Sequence, residues 1–459
     1  MSVMAIVAMV QIFLGGWQAP ALSLGEVARR EAARRKATAP SVRSLTDADI
    51  GPVPARIIGP PVTDVVDPAT VGDGKAAAGE PIVVGGIVGA TGPDNWSSGA
   101  KSATAYFKCL NANGGINGRP VNYLVEDDKW NPEQAALVAA KLVKDDKVVA
   151  MVGNTSFVEC GVNRPLYEQE DLMVIAAVGV PRECFEQKNY VPTNAGPRVS
   201  TLGAAQYAFQ KYGAKRQVCI ATNVPNAGTW TCEGIEAWGK GAGVEVKSIY
   251  IDPGALDATS VVLEAAAWKP DALLTSIPGG VAVPIFKAGQ DQDLRDKFHW
   301  LGPTSIYDLK FPEAIGDYWD GYVDAQIELN ATDSSGPDNT AWRTIMDTYG
   351  DPSDPRDTFS QAGYLAAKIF SETLLKLDPA KIDRQSVTAA LRQVKQYKSD
   401  LMCGEWYVSP GDRQNANHAG RMASIKGGKW VTVADCFETQ DVDLKPILEL
   451  EAKEGLVSK

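Results

Sequence analysis

Two neighbouring carboxylates, Asp127 and Asp128, close a short apolar stretch beginning at Val121, and Asn131-Pro132-Glu133 follow almost at once. Paired acids can divide general acid and general base work between them. Adjacent residues of a strand point to opposite faces, however, so these two cannot cooperate as a dyad. Two roles remain for them: a ligand contact at the carboxyl end of a strand, where open α/β sheets bind, or a solvated strand exit, which is the plainer reading. Other catalytic patterns fail in turn. His299 and His418 are the only histidines, too few for a His-rich metal site or most general-base triads. Each reads as a surface or packing residue. No GxSxG elbow occurs, no GxGxxG follows a strand, and Gly72-Asp73-Gly74-Lys75 lacks the rest of a phosphate loop. The chain is therefore expected to be no enzyme and to need no cofactor or metal.

Seven cysteines without CxxC spacing suggest disulfides with one thiol left over. Spacing alone does not give the pairing. Cys160 with Cys184 and Cys403 with Cys436 are candidate local closures, and Cys109 or Cys219 is the candidate buried thiol. The net charge of −11 argues against a nucleic-acid surface. An uncharged run from Val3 to Gly16 fits the apolar part of a secretory signal, with Ala19-Pro20-Ala21 or Ala21-Leu22-Ser23 offering a cleavage site. No basic residue precedes it, and Arg29, Arg30, Arg34, Arg35 and Lys36 follow it, so residues 1–23 read as a signal peptide or an uncleaved anchor. Either implies a periplasmic or cell-surface location. Residues 24–80, rich in Ala and Pro, read as an extended, poorly ordered tether.

The elements that would position a site alternate steadily from residue 81. Asparagine, proline and acid at 131–133 form a helix start, preceded by a strand and a Gly turn. Helices are predicted over 98–112, 132–145 and 160–169, with strands over 121–125, 148–152 and 172–177. A second series runs from helix 199–212 through strands 217–222, 245–251, 271–276 and 298–301, with helices 229–242, 258–268 and 281–289 between them. Helices at 339–349, 357–377 and 384–395 follow, then β-rich "CGEWYVS", "GRMASIK" and "KWVTVADC". Two runs of βα units imply an α/β protein with two Rossmann-like doubly wound lobes in a hinged clamshell.

The order of several segments over residues 81–435 resembles the type I periplasmic solute-binding proteins of branched-chain amino-acid ABC transporters. The matching stretches include "IVVGGIVGATGP", "NANGGINGRPVNYLVEDDKWNPEQAALVAAKLV", "VVAMVGNTSFVECGVNRPLYEQEDLMVIAA" and "WLGPTSIYDLKFPEAIGDYWDGYV". The resemblance implies one lobe from 81–198 and 328–403, a second from 199–327 and 404–440, and a tail at 441–459, with three crossovers between lobes. Asp127 and Asp128 become scaffold at the cleft rim. It further implies a small-molecule solute and a membrane ABC permease as partners, no nucleic acid, and a monomer.

In amino-acid-binding relatives, hydroxyls and main-chain N–H groups of the first lobe hold the carboxylate, while a glutamate and a tyrosine of the second receive the ammonium. The match puts Phe157 at the serine, Val180 at the threonine, Thr304 at the glutamate and Pro278 near the tyrosine. An α-amino acid would leave charges unpaired in such a cleft, at a cost of several kcal/mol on the order expected for buried ions. Phe157, Val180 and Trp96 would instead wall an apolar or aromatic solute. Thr155, Ser156, Asn226 and Thr304 would offer hydrogen bonds, and Trp230 would close the other side. The competing readings are a branched-chain amino-acid binder with a shifted register, a surface sensor on the same fold, and an enzyme.

Overall fold

The structure, a computed structural model, describes residues 69, 72 and 74–458. The signal or anchor at 1–23 and most of the tether lie outside the described residues. The first series of elements is β1 (Ile82–Val88), α1 (Ser98–Ala112), β2 (Val121–Asp127), α2 (Pro132–Ala140), β3 (Met151–Val152), α3 (Glu159–Gln169), β4 (Val174–Ala176) and β5 (Tyr190–Pro192). The second comprises α4 (Gly196–Tyr212), β6 (Arg216–Thr222), α5 (Trp230–Ala242), β7 (Glu245–Ile251), α6 (Ala258–Ala267), β8 (Ala272–Ser276), α7 (Gly279–Asp291), β9 (His299–Gly302), α8 (Phe311–Ile315) and β10 (Val323–Ile327). The chain ends with α9 (Pro337–Tyr349), α10 (Thr358–Leu374), α11 (Arg384–Leu391), β11 (Ala419–Lys426), β12 (Lys429–Glu438) and α12 (Lys445–Glu454).

Two sheets result. The first is parallel in the order β2-β1-β3-β4-β5. The second has the order β12-β11-β10-β9-β8-β6-β7, parallel except that β11 is antiparallel to both its neighbours, β10 and β12. Strand β1 is nearly all apolar and buried, as a central parallel strand must be. Its glycines have a reason in space. A Cβ on Gly86 would lie 2.3 Å from Tyr123 Oη, and that hydroxyl donates to Val152 O at 2.6 Å, tying β2 to β3 across β1. Helix α2 starts as its residues require: the Asn131 side chain accepts from Gln134 N–H at 2.9 Å, with Pro132 first and Glu133 in the first turn.

Helices α9, α10 and α11 return to the first sheet's core, where Trp342, Leu365, Phe370 and Leu391 are buried with Val84 and Ile175. Here the packing differs from the boundaries read in sequence. Trp406, Tyr407 and Val408 belong to this same core, so the stretch after 403 stays with the first lobe instead of opening the second. The segment "CGEWYVS" is no sheet strand, making only an isolated bridge between Tyr397 and Trp406. Nor is 441–458 a loose tail. Leu444, Ile447 and Leu456 are buried in the first lobe, and Tyr407 Oη donates to Glu451 Oε1 at 2.7 Å. The chain thus passes between lobes four times: after β5, after β10, before β11 and after β12.

Three disulfides staple the body: Cys160–Cys184, Cys219–Cys232 and Cys403–Cys436. The thiol outside them is Cys109, buried on α1, and Cys219 is bonded. Among the described residues no helix is long and apolar enough to cross a membrane.

Candidate functional site

The strand ends of the two sheets face one another across a pocket that holds about 540 Å³ free of protein atoms, open mouth included. Every wall comes from a loop just beyond a strand or from a helix start, the place where open α/β sheets bind. From the first lobe come Trp96 after β1, Phe157 after β3, Val178 and Val180 after β4, and Phe359 at the start of α10. The second lobe supplies Thr222 at the end of β6, Ser276 and Pro278 at β8, Ser305 after β9 and Glu328 after β10.

The first-lobe wall is an aromatic stack with a hidden prop. Trp130 lies parallel to Phe157 with ring centres 5.4 Å apart, and 4.5 Å from Trp96, whose other side meets Phe359 edge-on at 6.0 Å. Trp130 adopts a left-handed backbone, φ 57°, uncommon for a bulky residue. Its main-chain N–H donates to Asp128 Oδ1 at 2.8 Å and its indole N–H to Asp94 O at 3.1 Å. Space for the ring comes from Gly92, where a Cβ would sit 2.5 Å from Trp130 Cδ1. Asp127 accepts from Ala90 N–H at 2.9 Å and from Thr91 Oγ1 at 2.6 Å, holding the loop that carries Trp96. The two acids are scaffold in this geometry, as the rim reading expected.

The polar residues expected beside Phe157 turn inward. Thr155 Oγ1 donates to Trp96 O at 2.5 Å and is wholly buried. Ser156 Oγ donates to Asp128 and accepts the N–H groups of Val158 and Glu159 at 3.1 and 3.0 Å, just ahead of α3. Neither is a pocket-lining residue. Their work is to hold Trp96 and Phe157 in place. Glu159, beneath them, has no cation beside it. Burial raises its pKa, opposed by hydrogen bonds from Asn154 and Tyr167.

On the other lobe, Pro278 lines the pocket as the residue capping α7. Thr304 lies just behind the wall. Its hydroxyl donates to Gln326 O and accepts Glu328 N–H, both at 2.9 Å, which locks the ends of β9 and β10 together. It lines an adjoining pocket that shares Trp96, Ser305 and Phe359 with the first. Asn226 is exposed and bridges the lobes by donating to Glu183 Oε1, outside the pocket lining. Trp230 is also outside it. Its ring packs 6.1 Å from Phe185 and 5.4 Å from the Arg198 guanidinium, a junction between lobes where Arg198 also pairs with Asp441. Thus Trp96, Phe157, Val180 and Pro278 meet at one pocket, while Thr155, Ser156, Asn226, Trp230 and Thr304 surround it.

Several contributors escaped the sequence reading, Val178, Phe359, Thr222, Ser276 and Ser305 among them, and two matter most. One is Trp130. The other is Glu328, the sole carboxylate of the pocket wall, whose side chain is almost wholly buried and faced by no basic lining residue. Oε2 accepts Ala195 N–H at 2.6 Å and Gly196 N–H at 3.3 Å, the first donors of α4. Burial pushes its carboxyl up to about 7, despite these two bonds and the nearby Thr304 and Asn194 side chains.

Residues 81–429 match the periplasmic binding protein family, and the chain belongs to it. Its members are solute-binding proteins, not a class of enzymes. The fold is shared with a solute-binding protein of an ABC transporter from R. palustris in complex with 4-hydroxybenzoate: TM-score 0.69 at 19% identity, covering 80% of this chain and 99% of that one. A second from R. palustris, in complex with benzoate, aligns at TM-score 0.65 and 20% identity over 79% of this chain and 97% of its own. A leucine-binding protein from Thermotoga maritima gives 0.65 and 16% over 78% and 99%. In sequence, an amino acid binding protein of Pseudomonas aeruginosa is 34% identical over 74 residues, 15% of this chain; the match spans only 20% of that relative's length.

Proposed function

We propose that this protein is an exported receptor that captures a small aromatic or otherwise weakly polar solute between its lobes and delivers it to an ABC-type permease in the membrane. One observation carries the reading: Trp96, Phe157, Val180 and Phe359 form a continuous apolar wall where a zwitterion would need polar clamps. An aromatic ring buried there gains apolar burial plus edge or stacking contacts. A carboxylate on such a solute still has donors to meet, because the main-chain N–H groups of Phe157 and Val180 have no partner among the described residues. Solved relatives of the same fold that hold 4-hydroxybenzoate and benzoate support the reading, although at under 25% identity they share the fold alone.

Glu328 favours one second reading, an amino-acid ligand whose ammonium meets that carboxylate. Calorimetry and thermal shift with leucine, isoleucine, valine, benzoate and 4-hydroxybenzoate separate the two, since a ligand specific for the folded state raises the melting temperature. Aromatic acids are expected to stabilise the protein, and branched-chain amino acids are expected to leave it nearly unchanged. Strong stabilisation by leucine would refute the aromatic reading.

A further inference from the structure

Glu328 is an unusual residue to leave in an apolar cleft. A buried carboxylate costs free energy unless something donates to it, and a lining residue of this type normally answers a group on the ligand. Here the two oxygens differ in what they do. Oε2 takes the Ala195 and Gly196 N–H groups at the start of α4, and the side chains of Thr304 and Asn194 also lie close enough to the carboxyl to favour its charged form, whereas among the described residues no short hydrogen bond is made to Oε1. No lining residue is a cation. The side chain is held from behind as well, since Thr304 fixes the Glu328 main chain and Asn417 Nδ2 donates to Glu328 O at 3.3 Å. The carboxyl is thus fixed at the pocket wall, with Oε2 engaged by the start of α4.

We infer that Glu328 sets the specificity of this site by accepting a hydrogen bond at Oε1 from a neutral hydroxyl on the ligand, at the end of the molecule away from the Phe157 and Val180 main chain. The inference rests on the aromatic reading of the pocket and narrows it to hydroxylated aromatic acids. A hydroxyl suits this carboxyl better than an ammonium does. Oε2 already spends part of the negative charge on the α4 terminus, and a neutral hydroxyl can meet the other oxygen without a buried ion pair having to be desolvated. A site built to accept from a hydroxyl rejects the analogue lacking it, because the buried oxygen is then left unpaired.

The arrangement makes binding sensitive to protons. A ligand that donates requires the ionised carboxylate. With the carboxyl near 7 in the unliganded protein, affinity should therefore rise with pH through that value and level off above it. No charged neighbour contributes to the position of this carboxyl. The other cleft acids, Asp94, Asp308 and Asp357, line the adjoining pocket together with Lys310, and the α4, β9 and β10 segments around Glu328 bring no titratable group to the pocket wall.

The test is calorimetry on the full chain with 4-hydroxybenzoate and benzoate between pH 5.5 and 8.5, repeated on Glu328→Gln, with the melting temperature of the unliganded variant to establish that it folds. At the alkaline end 4-hydroxybenzoate should bind at least about tenfold more tightly than benzoate. On the acid side its affinity should fall by up to about tenfold per pH unit. Glu328→Gln should abolish the pH dependence and narrow the gap between the two probes. Equal affinity for both probes, affinity that rises as pH falls, or a slope unchanged in Glu328→Gln would overturn the inference while leaving the aromatic reading intact. Failure of either probe to bind at any pH would overturn both.

Discussion

The two walls of the pocket solve the same problem in opposite ways. On the first lobe, side chains capable of hydrogen bonding, Thr155, Ser156, Asp127 and Asp128, are spent on the fold, and aromatic rings face the cleft. On the second, polar groups stay at the surface: Thr222, Ser276, Ser305 and Glu328 line the wall between prolines and an isoleucine. One wall supplies area and the other supplies direction. On the proposed function, a ligand's affinity would depend mainly on the first lobe, while its identity would be read by the second.

The contrast is most easily broken at Thr304. Glutamate there would restore the acid implied for amino-acid binders, yet the threonine hydroxyl is already committed to Gln326 O and Glu328 N–H behind the wall. Thr304→Glu would bury a second carboxylate beside Glu328, and should cost on the order of 3–5 kcal/mol in urea unfolding without creating leucine binding. A stable, leucine-binding variant would show that the second wall is not specialised in this way.

The next test separates wall from prop. Trp96→Ala removes a ring that lines the pocket and should weaken 4-hydroxybenzoate by roughly 30- to 100-fold, about 2–3 kcal/mol. Trp130→Ala removes only the ring behind Phe157, and should weaken it by about tenfold or less. Equal losses measured by calorimetry would mean that Trp130 touches the ligand. At the rim the effect should be smallest. Asn226 is exposed, so Asn226→Ala should change unfolding free energy by less than about 0.5 kcal/mol and affinity by less than about threefold.

Much of this fold could be read from residues alone because strand and helix periods agree with local punctuation. Strand 245–251 and helix 98–112 appear with the bounds that their sequence predicts. The failures have physical causes. The sequence does not announce strand β10 because Asp324 and Gln326 interrupt its apolar pattern; both are buried, Asp324 accepting from Tyr212 Oη at 2.6 Å and Gln326 Oε1 from Ser200 Oγ at 2.6 Å. Missing β10 hid Glu328, the residue that follows its end. Trp130 was passed over as loop, since a left-handed turn made by a lysine and a tryptophan has no glycine to announce it. The glycines that betray it, Gly89 and Gly92, lie some forty residues earlier, on a different strand exit.

The seating of α12 against the core that also contains β1 has a mechanical corollary. The segments flanking the body at either end are rooted in one half, so a grip applied through either flank immobilises that half and leaves its counterpart to swing. On the proposed function, cargo would then be offered by a stationary aromatic bed, and the jaw free to open would be the one bearing Glu328's strand.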